Sequence, residues 1–169
     1  PQPEAVDHQI IYFGTRVEYD TPDYHLYFIS AGLSWNYNCS GRKWTANVCG
    51  GDVFCDHNSP LLDVSPGDVV TTSITRTGTG YTGTVNAAGR QSTLPFNMPT
   101  AGAKPALAFQ HDYLLMPPRT KPSDCAMMPA GPMIMSEISI SPMPGTDAQP
   151  AFVSLATSAD MFHVCKWTQ

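Results

Sequence analysis

The residues best suited to hold a ligand are Gln110 and Asp112, two positions apart in the stretch 106–115. If that stretch is a strand, alternation puts Ala106, Ala108, Gln110, Asp112 and Leu114 on one face. Leu107, Phe109, His111, Tyr113 and Leu115 take the other. The first face turns from small to polar and suits the floor of an open groove; the second suits a core. Side chains at i and i+2 lie within about 7 Å, so this amide and carboxylate can hold one ligand hydroxyl between them. Trp35, Tyr37 and Trp44 add aromatic faces of the kind that stack on the C–H faces of sugars. Trp44, between Lys43 and Thr45, is expected at the groove rim, with Asn36, Asn38 and Asn58 nearby to read hydroxyls. The set predicts binding of a glycan or cell-wall polysaccharide without turnover.

Were the chain an enzyme, Asp112, Gln110 and Asp56 are the residues that would carry acid–base work. Asp56-His57 beside Cys55 supplies two candidate ligands, short of the three that zinc or copper usually takes, so neither a metal nor a cofactor is expected. The chain has no Gly-x-Ser-x-Gly elbow, no phosphate-binding glycine loop and no HExxH. Glutamate occurs only at 4, 18 and 137, a small pool for a glycosidase carboxylate pair.

Nine Lys and Arg against fourteen Asp and Glu give a net charge of −5, which argues against nucleic acid, since no basic footprint exists to displace counterions from phosphates. No apolar run approaches the roughly 18 residues of a bilayer span. Five cysteines, at 39, 49, 55, 125 and 165, suit an oxidising compartment, and Pro1-Gln2-Pro3-Glu4 reads as a processed N-terminus. A secreted, extracellular protein is expected, with disulfides Cys125–Cys165 and Cys39–Cys49. Asn38-Cys39-Ser40 is a glycosylation acceptor sequence on a surface loop.

The elements that must position these groups are strands. Glu and Lys are scarce, Thr, Ser, Gly and Pro are abundant, and no amphipathic helical window of three turns exists. Period-2 patterning predicts strands at 10–19, 24–30, 33–37, 69–76, 81–86, 90–96, 106–115, 133–140, 151–156 and 161–167. Ser65-Pro66-Gly67-Asp68 is a turn, and Gly78-Thr79-Gly80 and Ala87-Ala88-Gly89 close hairpins. Residues 38–60 read as a disulfide-pinned loop with at most short strands at 43–48 and 52–55. The expectation is one all-β domain over 1–169, an antiparallel sandwich of two curved sheets with about ten strands.

Three stretches carry a family resemblance: Leu62-Asp63-Val64-Ser65-Pro66-Gly67-Asp68-Val69-Val70, then Tyr81-Thr82-Gly83-Thr84-Val85-Asn86, then 108–115 followed by Ile134-Met135-Ser136-Glu137-Ile138-Ser139-Ile140. Their order resembles the fungal glutamic peptidases (eqolisins). The resemblance implies a concanavalin A-like jelly roll. In that family a Glu acts as general base for water and a Gln stabilises the oxyanion. The family Glu falls on the strand that matches 106–115, where this chain has Gln110, His111 and Asp112 but no Glu. Residues 24–56 contain no Gln, and Phe54-Cys55-Asp56-His57 stands where the family has an aromatic and acidic segment. The resemblance therefore extends to the fold and not to the catalytic pair.

Two rival functions remain open at this level. Low charge and the late methionines, at 116, 127, 128, 133, 135 and 143, suit an extracellular structural protein that self-assembles through a Met-rich apolar patch, giving a homo-oligomer. The other is a hydrolase, either a diverged acid peptidase of the glutamic type or a glycan-cleaving enzyme.

Overall fold

Alternation of apolar and small polar residues drives the chain into extended structure, which the computed structural model describes for residues 9–22, 26–35, 43–52 and 55–113, and for Ser136, Glu137 and Ser139. Among these lie nine strands and no helix. They are β1 (Gln9–Asp20), β2 (Leu26–Trp35), β3 (Trp44–Asp52), β4 (His57–Asn58), β5 (Leu62–Asp63), β6 (Val70–Thr77), β7 (Gly80–Ala87), β8 (Arg90–Phe96) and β9 (Lys104–Tyr113). One six-stranded sheet has the order β4-β3-β2-β1-β9, with β5 also paired to β3; β6-β7-β8 form a second sheet. Every pairing is antiparallel.

The inner faces of both sheets feed one core. Val17, Ile29, Ala31, Ala46, Val48 and Leu62 from the larger sheet meet Tyr81, Val85 and Ala87 from the smaller. Close approach depends on Gly83, where a Cβ would collide with the Val48 side chain and lie 3.2 Å from Ile29 Cδ1. A buried polar relay ties the layers. Val48 N–H donates to Ser59 Oγ at 2.8 Å, and Ser92 Oγ lies 2.7 Å from Ser59 Oγ and 2.6 Å from the Pro60 carbonyl. Each hydroxyl has one proton, so Ser59 donates to Ser92 and Ser92 to Pro60, which satisfies both.

Several expectations need correction. The segment 38–60 is not chiefly a loop: β3 is a nine-residue interior strand, flanked by β2 on one side and by β4 and β5 on the other. Its Gly and Asn content disguised an alternation in which Trp44, Ala46 and Val48 point to the core. The two short strands expected at 24–30 and 33–37 are one through residue 35, because Ala31-Gly32 continues the ladder opposite Gly14 and Thr15. Ser136, Glu137 and Ser139, expected within a strand, are exposed and not in a strand, with a positive φ of 56° at Glu137; the rest of 133–140 lies outside the described residues. The strands expected at 151–156 and 161–167 and the Met-rich patch lie outside the described residues.

The turns follow the sequence. In Ser65–Asp68, Pro66 fixes the first central position and Gly67 adopts φ +94°. Asp68 N–H donates to the Ser65 carbonyl at 3.1 Å, and the Asp68 carboxylate accepts from Ser65 N–H at 2.8 Å. Between β7 and β8 both central residues are left-handed, Ala88 at φ 50° and Gly89 at φ 72°. Alanine is strained there and Asn is not, so Ala88→Asn is expected to raise unfolding free energy by about 0.5–1 kcal/mol. Urea titration checks this; an unchanged midpoint means the turn carries no such strain.

The outward face of the smaller sheet is built in three ranks across β6, β7 and β8: Thr71–Asn86–Gln91, Ser73–Thr84–Thr93 and Thr75–Thr82–Pro95. The outer strands expose theirs, and the central strand's are partly exposed.

Candidate ligand-binding face

The predicted binding pair, positions 110 and 112, lies on β9, the terminal strand of the six-stranded sheet among the described residues. The register sets position 110 opposite Tyr12, Tyr12 opposite Ser34, Ser34 opposite Thr45, and Thr45 opposite Asp63. This polar rank crosses five strands and spans roughly 19 Å at the usual interstrand spacing. Position 112 lies opposite Ile10. Positions 107, 109 and 111 lie opposite Thr15, Phe13 and Ile11.

Gly14 and Gly32 face each other in the next rank, and the Tyr12 ring lies over both: a Cβ on Gly32 would stand 2.7 Å from Tyr12 Oη and 2.8 Å from Cζ. Asn47, opposite Gly32, is buried and donates to Asn58 Oδ1 at 3.4 Å. Further along, Arg16 stacks its guanidinium 3.9 Å from the Phe28 ring centroid and sits 2.6 Å from Glu18 Oε1. At the far end of the polar rank, the Lys43 ammonium donates to Asp63 at 2.6 Å and holds that carboxyl below its ordinary range.

The centre of the rank differs from an open groove floor. Ser34 and Thr45 are both 0% exposed, and neither hydroxyl finds a hydrogen-bond partner among the described residues. An unpaired buried hydroxyl costs about 1–3 kcal/mol. Sequence reading missed this pair, since a Ser and a Thr on separate strands carry no local signal until the register joins them.

The aromatic part of the predicted site is elsewhere. Trp44 and Trp35 are opposite each other on the inner face, with ring centroids 5.4 Å apart, and Phe13 lies 6.3 Å from Trp44. Both indoles are buried with Ile11, and Val64 packs against them. Trp44 is thus a core residue rather than a groove rim: at an even position of β3 its side chain must share the face of Ala46 and Val48. Trp35 is likewise core rather than a stacking platform. Tyr37 and Asn38 lie outside the described residues.

Cys49 bonds to Cys55, with Cα atoms 5.3 Å apart, and not to Cys39. The cause is the register: β4 runs back beside β3 with Asn58 opposite Cys49, which carries Cys55 within reach. Cys39, Cys125 and Cys165 lie outside the described residues. Asp56 and His57 are exposed and 3.7 Å apart. Among the described residues no three His, Cys, Asp or Glu side chains converge as a metal site would require. Nor is any helix there long and apolar enough to cross a membrane.

The outward face of β6–β8 was also missed, although its signal is present in the sequence. In Thr71-Thr72-Ser73-Ile74-Thr75, Thr82-Gly83-Thr84-Val85-Asn86 and Gln91-Ser92-Thr93, one phase of each alternation is uncharged and hydrogen-bonding. No protein-family model, curated protein or solved structure matches the chain.

Proposed function

We propose that the chain is a secreted carbohydrate-binding module, a concanavalin A-like sandwich that binds a neutral glycan along the polar rank of its six-stranded sheet without cleaving it. The observation that carries this reading is the Ser34–Thr45 pair, two water-excluded hydroxyls set opposite each other without partners among the described residues. Each offers one donor and two acceptor sites, the complement of a sugar hydroxyl. Both are 0% exposed in the free protein, so a ligand hydroxyl reaches them only where this face opens, and it then recovers the lost bonds. Position 110 continues the same rank opposite Tyr12. The Cys49–Cys55 bridge suits an oxidising compartment.

The test is binding of neutral oligosaccharides, on an array and by calorimetry. Thr45→Val removes the hydroxyl and keeps the shape. It is expected to weaken binding about fivefold or more while leaving stability unchanged or raised by up to about 1 kcal/mol. Asp112→Asn is expected to weaken binding modestly. Wild-type protein that retains no glycan, or Thr45→Val with unaltered affinity, ends this reading. Hydrolysis of protein or polysaccharide that Asp112→Asn abolishes would replace it with an enzyme.

A further inference from the structure

The exposed face of β6–β8 is distinct from that rank and belongs to the other sheet. Its three ranks carry hydroxyls or amides at every position but Pro95, and no charge, in a chain with nine basic and fourteen acidic residues. Threonine is stiff about χ1, so its hydroxyl and methyl are held in fixed places. Cross-strand bonds hold the amides as well: Gln91 Nε2 donates to Asn86 Oδ1 at 3.0 Å, Asn86 Nδ2 donates to Thr71 Oγ1 at 3.3 Å, and Thr84 and Thr93 hydroxyls lie 3.4 Å apart. Hydrogen-bonding groups therefore recur about every 4.8 Å across the strands and about every 6.7 Å along them.

We propose that this face docks on the surface of an ordered, insoluble neutral polysaccharide. A surface whose own hydroxyls repeat at sugar-ring intervals can engage several ranks at once, where a single soluble sugar engages one. Neutrality of the face matches a neutral polymer and offers nothing to an anionic one. A second copy of the chain fits poorly. The face measures on the order of 300 Å², against about 800 Å² per partner in a stable dimer, and two copies at −5 repel.

Depletion of the full chain from solution by microcrystalline cellulose and by crystalline chitin tests the proposal. The double variant Thr75→Glu/Thr93→Glu places two carboxylates on exposed positions, and a thermal melt checks that it remains folded. Wild type is expected in the pellet with one of the polymers, the double variant to partition about tenfold less or weaker still, and Leu61→Glu, a carboxylate on an exposed position outside this face, to partition as wild type. Wild type left in the supernatant by both polymers overturns the proposal, as does a folded double variant depleted as well as wild type. Loss of a concentration-dependent dimer in the double variant, seen by sedimentation, would assign the face to self-association instead. Soluble-oligosaccharide binding tests the rank and depletion of the double variant tests this face, so failure here and failure of the glycan-rank reading give different results.

Discussion

Trp44→Ala is expected to lower the unfolding free energy by about 3–5 kcal/mol, the usual cost of emptying a large aromatic site in a core. Trp44 is 8% exposed and packed among Trp35, Phe13, Ile11 and Val64, so its removal leaves a void that the β1–β2–β3 ladder keeps open. Against a typical total of about 5–15 kcal/mol this is about a fifth of the stability or more. In a domain of this size it corresponds to a fall in Tm of roughly 10 °C. Trp44→Phe retains most of the apolar volume and should recover more than half of the loss. Paired urea titrations of the two variants measure the difference. A Trp44→Ala protein with the wild-type midpoint but weaker glycan binding would return this indole to the surface.

Gly32→Ala is expected to cost about 3 kcal/mol or more, an overpacking penalty at the upper end of the usual range. A single methyl has this effect because of what it meets. The new Cβ would collide with the Phe13 carbonyl oxygen and crowd the Tyr12 ring. The ring can swing aside, but the carbonyl belongs to the paired strand and moves only if β1 and β2 separate. Gly14, directly opposite, is equally constrained, by the Ala31 carbonyl and Gly32 Cα. The double variant Tyr12→Ala/Gly32→Ala therefore relieves only the ring's share, and most of the penalty should persist in the double-mutant cycle. A loss below about 1 kcal/mol in Gly32→Ala would show that the two strands part readily, and would remove the reason for glycine there.

Class and local geometry were legible in the sequence because they are set within a few residues. Period-2 patterning at 70–77, 80–87 and 90–96 belongs to strands because alternate side chains point to opposite faces. Pro66-Gly67 dictates its own turn. Where glycine and asparagine diluted the pattern, as in β3, the same rule was present but masked by composition.

What alternation leaves undetermined is which face looks at what. Trp44 and Trp35 could be a rim or a core until the ladder set them beside Ile11 and Phe13 with Val64 packed against them; burial is a property of what packs on the strand and not of the strand. The partner of Cys49 was settled by the return of β4, and the meeting of Ser34 with Thr45 by the β2–β3 register. A strand's sequence determines its two faces through the fixed pleat of the backbone. Pairing between distant segments depends on register and layer stacking, which only the folded chain as a whole decides.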